Sequence, residues 1–141
     1  MKTIVVEGRF DQVVLMSLFS QIEGKNITFR EAMGFSNVFA ISKTLVDYGH
    51  DVLAVLDTDS GKSGDDNRKI LNRIMSPGVT GRMINIVWMD PCIEVVLNKA
   101  VPDSNIHQKK GVVLRQVIDK YRAKILALDE FKQIQNFIDG K

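Results

Sequence analysis

The stretch Val52-Leu53-Ala54-Val55-Leu56-Asp57-Thr58-Asp59 decides the fold. Five apolar residues run without alternation, the pattern of a strand buried on both faces. Such strands belong to parallel sheets covered by helices. The run ends directly in acids. The chain opens the same way: Ile4-Val5-Val6 leads into Glu7-Gly8, and Asp11 can cap the next helix. Phe10, Val13, Val14, Leu15 and Leu18 then lie at helical spacing. Residues 26–29 read as a second short strand. Ser36 can cap a helix carrying Val38, Phe39, Ile41, Leu45 and Val46, closed by Gly49. Residues 60–64 form a loop, after which Asp65 or Asp66 can cap a helix through Met75, ended by Ser76-Pro77-Gly78. Residues 83–88 predict a further strand. Asp90 then serves as cap and Pro91 as first turn of a short helix over residues 92–99.

Strands alternating with helices predict an α/β domain with a central, mostly parallel sheet of about four strands. Right-handed crossovers put helices on both faces. Residues 100–110 are polar and read as a surface loop. Residues 112–138 read as two helices broken near Leu128-Asp129, covering the sheet in preference to forming a dimer interface. Residues 1–100 are thus expected to form the α/β core, and residues 101–141 a helical extension of the same domain.

The 141 residues fit one domain. With 45% apolar and 26% charged residues, the composition is that of an ordinary globular protein. A single Cys excludes an intrachain disulfide and a cysteine zinc cluster. No apolar run approaches the ~18 residues of a membrane span. The start of the chain does not read as a secretory signal, so a cytoplasmic location is expected. The net charge of +2 conceals a segregation. Residues 1–60 carry five Lys+Arg and eight Asp+Glu, a balance of −3, and residues 61–141 carry fourteen and nine, a balance of +5. An acidic half and a basic half make a phosphate-bearing partner plausible.

Sites in parallel α/β sheets form outside the carboxyl ends of the strands. Two strands end in acids there, one at Glu7 and one at Asp57 and Asp59. Alternation along an extended chain would project Asp57 and Asp59 to the same side. If the two strands are neighbours, three carboxylates converge. Such a group raises its own pKa values unless a cation neutralises it. Hard oxygen donors suit Mg2+ or Mn2+. Acids after strands also commonly cap helices or sit in solvated turns, and that is the ordinary reading of each one singly.

Two motifs are incomplete. Gly61-Lys62-Ser63 ends like a phosphate-binding P-loop, but Leu56 stands where that loop needs its first glycine. Asp57-x-Asp59 begins like an EF-hand loop, but Gly61 occupies the fifth position and no helix pattern precedes it.

In the order Ile4-Val5-Val6-Glu7-Gly8-Arg9-Phe10-Asp11, then Val52 to Asp59, with Gly34 before the second helix, the sequence resembles the Toprim domain. That metal-binding module is shared by topoisomerases, primases, small ribonucleases and nucleases of the overcoming-lysogenization-defect type. The resemblance covers residues 3–75. Asp90-Pro91-Cys92-Ile93-Glu94 is similar to a segment that follows the core in some defence-associated relatives. The resemblance implies that Asp57 and Asp59 bind Mg2+ or Mn2+. Glu7 would act as general acid/base or as ligand to a second metal. Asp11 would be an outer ligand or helix cap, and Glu94 a further acid. Lys62, Arg68 or Lys69 would steady a phosphate, though a solvated helix face explains at least two of these three. The implied activity is Mg2+-dependent phosphodiester chemistry on DNA or RNA, most directly as a nuclease. The alternative is a non-catalytic module that binds nucleic acid or a protein.

The sequence departs from that family in three ways. Tyr48 and Tyr121 lack the context of a topoisomerase nucleophile. The zinc module of the primases is excluded by the single Cys. Nothing here could be the ATPase of the larger nucleases. The expectation is a free-standing domain, or one working with a partner chain such as an ATPase. Cys92 reads as a small buried residue. His50 and His107 have no partner spacing and receive no role.

Overall fold

The structure, a computed structural model, describes residues 1–19, 26–60, 66–69, 84–102 and 105–140. Strands β1 (Lys2–Val6), β2 (Ile27–Glu31), β3 (Asp51–Asp57) and β4 (Asn85–Met89) form one sheet in the order β2-β1-β3-β4. Every pairing is parallel. The β-branched and apolar runs lie in β1 and β3, the two strands flanked on both sides, and there the interior is buried on both faces. The outer strand β2 alternates between half-buried and exposed residues. Val6 pairs with Val55, so Glu7 and Asp57 leave the sheet at the same edge.

The pleat sorts side chains into two layers. Ile4, Val6, Leu53, Val55, Val87 and Met89 join one core cluster. Against them pack α1 (Arg9–Phe19), through Val14, Leu15, Leu18 and Phe19, and α3 (Ile93–Leu97). The same cluster takes in α4 (Gly111–Lys120), α5 (Arg122–Leu126) and α6 (Asp129–Asp139). Leu114, Ile118, Ile125, Phe131, Ile134 and Ile138 from these last helices are fully buried. Each such side chain stabilises the fold by about 1.5–3 kcal/mol. Residues after 101 therefore complete the core that the sheet begins. On the opposite face Val5, Val52, Ala54 and Leu56 meet α2 (Phe35–Asp47) through Val38 and Val46.

The chain leaves β1 for β2 on one side of the sheet, and leaves β3 for β4 on the other. The connections diverge between β1 and β3, and in parallel α/β sheets the crevice above the carboxyl ends at such a point is the usual ligand position. Glu7 and Asp57 flank it.

Several boundaries differ from the sequence reading. Helix α2 starts at Phe35 with Gly34 as its cap residue, and Ser36 lies inside the helix. Gly34 holds φ of 123°, a region open to glycine, and its N–H donates to the Glu7 carbonyl at 2.8 Å. Asp90 does not cap α3. Cys92 is the cap residue without a capping side-chain bond, while the first N–H of the helix, at Ile93, donates to the Asp57 carboxylate. The C-terminal region forms three helices rather than two, with Tyr121 out of helical geometry between α4 and α5. Asp66 does cap the turn beginning at Asn67, accepting the Arg68 N–H at 2.8 Å. The rest of the helix expected to run to Met75, and the loop through 65, fall outside the described residues. No described helix is long and apolar enough to cross a membrane.

Candidate functional site

Glu7 comes directly after β1, and its side chain reaches across to β3. The backbone N–H of Asp57 donates to Glu7 Oε2 at 2.5 Å. Asp57 Oδ1 in turn accepts the N–H of Ile93 at 3.0 Å. Asp11 occupies the first turn of α1 and accepts the N–H of Gly8, the reciprocal half of a capping box. No φ or packing requirement calls for glycine at Gly8, since a Cβ there would meet open space.

These placements set four carboxylates within electrostatic reach of one another. Burial pushes the Asp57 carboxyl up to about 8, and the charges of Asp11, Glu7 and Glu94 add to it, against the Ile93 N–H. Burial likewise pushes Asp11 up to about 7, helped by Glu94 and Glu7 and opposed by the Gly8 N–H. Glu7, Asp11, Asp57 and Glu94 thus form one electrostatic unit at the crevice. Glu94 stands on the first turn of α3.

Asp59 is placed differently from expectation. Strand β3 ends at Asp57, and Asp59 takes φ of 52° in a turn. The extended alternation that would align the two acids stops two residues short of Asp59. Asn67 Nδ2 donates to the Asp57 carbonyl at 2.9 Å and to Asp59 Oδ2 at 3.2 Å. The turn is fastened further: Thr58 N–H donates to the Met89 carbonyl, Asp59 N–H to the Pro91 carbonyl and Asn67 N–H to the Thr58 carbonyl. The hydroxyls of Thr58 and Ser60 donate to Asp90 Oδ1 at 2.7 and 2.5 Å, and these bonds hold the Asp90 carboxyl below its usual range. Thr58 and Asn67 give no sequence signal and Asp90 reads only as a helix cap, because their role depends on loops meeting across the sheet edge.

Of the three candidate phosphate contacts, Lys62 lies outside the described residues. Arg68 donates from Nε and Nη2 to Asp66 at 3.0 and 2.7 Å, and this pair holds Asp66 down at about 2. Its guanidinium is committed locally. Lys69 is exposed on the same turn. Cys92 is half-buried, and burial pushes its thiol up, with Glu94 adding to the shift, which disfavours a nucleophilic thiolate.

By donor chemistry alone the four groups, all hard oxygens, suit Mg2+ or Mn2+, and a cation would offset the burial and the repulsion that raise Asp57 and Asp11. Among the described residues no three acidic, His or Cys side chains close around one point. Mg2+ is commonly held by one or two carboxylates with water and phosphate oxygens completing the sphere, so an open arrangement suits it. No family model, no curated protein and no solved structure matches the chain.

Proposed function

We propose that the protein carries out Mg2+- or Mn2+-dependent phosphodiester chemistry on nucleic acid, as a nuclease of the Toprim type. The observation that carries this reading is the electrostatic coupling of the buried or half-buried carboxyls of Asp57 and Asp11 to Glu7 and Glu94 where β1 and β3 end, with Glu7 held by the Asp57 N–H. A bound divalent cation supplies charge neutralisation at a phosphodiester and lowers the pKa of water. Asp57 presents its carboxylate with one oxygen fixed by the Ile93 N–H. Glu7, oriented by the Asp57 N–H, takes the proton of the attacking water. Asp11 and Glu94 add negative charge that draws the cation into the crevice. The test is incubation with labelled single- and double-stranded DNA and RNA plus Mg2+ or Mn2+. Wild type cleaves and Asp57→Asn does not. Equal inactivity of the two overturns the reading.

A second reading is a non-catalytic module that binds nucleic acid or a partner chain. It is favoured by the bonds that tie Asp57 to Ile93 and Asp59 to Asn67 as parts of the framework. It predicts that binding survives replacement of both acids by Asn.

A further inference from the structure

A groove of about 450 Å³ runs between α1 and the junction of α4 with α5. Its α1 wall carries Arg9, Gln12 and Met16, spaced three and four apart and so on one face of the helix. Its other wall carries Arg115, Asp119 and Arg122 at the same spacing. Three guanidinium groups thus face one carboxylate. Arg122 is structural in part: Nη1 donates to the Leu18 carbonyl at 2.8 Å and Nη2 to the Ser17 carbonyl, which closes the end of α1. It also lies 3.4 Å from Asp119. Arg9 and Arg115 are exposed, and their side chains make no ion pair or hydrogen bond among the described residues. Met16, 42% exposed, gives the groove an apolar patch.

We propose that this groove binds the phosphodiester backbone of a single nucleic-acid strand. Guanidinium groups match phosphate oxygens bidentately. Arg9 sits two residues after Glu7, so the groove begins beside the acidic crevice. From Arg9 to Met16 it tracks α1 for about 11 Å, the reach of a short run of phosphates rather than of one anion. Met16 offers a surface for a sugar or base. The choice of ligand rests on the function proposed above; the groove and its charges stand apart from it.

The test is fluorescence anisotropy with a short labelled single-stranded DNA or RNA in EDTA, over a range of salt. The double variant Arg9→Ala/Arg115→Ala changes only exposed side chains, and its fold is checked by circular dichroism. Binding is expected to weaken at least about tenfold, with the salt slope falling by about 1.4 for two lost contacts to a single strand. Arg→Lys at both positions restores most of the slope. Three outcomes overturn the proposal: unchanged binding by the double variant, no binding by wild type, or displacement by inorganic phosphate at matched phosphate concentration. Cleavage in Mg2+ is measured separately. Binding without cleavage removes the enzymatic reading and leaves the groove standing. Cleavage with undiminished binding by the double variant removes the groove alone.

Discussion

The backbone N–H of Asp57 donates to the carboxylate of Glu7 at 2.5 Å, joining residues fifty positions apart. This bond locks the acid after β1 onto the end of β3. It also keeps the Glu7 charge near Asp57, where it adds to the burial and the Asp11 charge that raise the Asp57 carboxyl.

Stability of the metal-free protein is expected to fall as pH rises. Asp57 and Asp11 have folded-state values of about 8 and about 7, both raised from 3.8. Between those limits the folded protein holds protons that the unfolded chain has released, so stability decreases with pH. It is fully present below about pH 4 and lost through about pH 7–8. Thermal unfolding in EDTA should give a lower Tm at about pH 8.5 than at about pH 5.5. A Tm that rises over this window contradicts the clustering.

Added Mg2+ should raise the Tm more at the higher pH, because protons and the cation compete for the same oxygens. Titration calorimetry in two buffers of different ionisation heat would register the released protons. Equal Mg2+ stabilisation at both pH values argues against binding at this cluster.

Asp57→Asn keeps an oxygen for the Ile93 N–H and removes the charge of a half-buried carboxyl that Asp11, Glu7 and Glu94 disfavour further. In EDTA at about pH 8.5 the variant should be more stable by about 1–2 kcal/mol, while activity is abolished. Urea unfolding measures the first and nucleolytic assay the second. A variant less stable than wild type under these conditions means the carboxylate is not strained by its neighbours.

Asn67→Ala removes the amide that ties the Asp57 carbonyl to Asp59. Asn67 is buried, so the loss should cost about 1–3 kcal/mol and leave the turn less ordered. Activity should fall together with stability. Asn67→Asp should be worse, since it sets a further carboxylate against Asp59. Hydrogen exchange at residues 57–60 would register the loosening.

Lys2→Met tests the closure of the C-terminal helix. Lys2 Nζ donates to the carbonyls of Phe137 and Ile138 at 2.6 and 2.9 Å, satisfying the end of α6 with a positive charge. The substitution keeps the apolar stem and should cost about 1–2 kcal/mol in chemical denaturation. Catalysis should be unaffected, because Lys2 lies at the opposite end of β1 from Glu7.

The sequence by itself determined the strands, their burial and the parallel sheet. Runs such as 52–56 allow no other comfortable environment, and the alternation of apolar segments with helical spacing leaves few topologies. Acids placed just after strands also marked Glu7, Asp57 and Asp59, while Asp11 and Glu94 were site candidates through the family resemblance alone. Only the tertiary structure decided which acids meet. Strand order made Glu7 and Asp57 neighbours, while the turn at Asp59 ended the alternation that would have added a third. Arg9 and Arg115 were drawn to one groove by the packing of α1 against α4. Periodicity and local propensity act over a few residues, so they fix each element; contacts across fifty or a hundred residues come from how the elements close on one core.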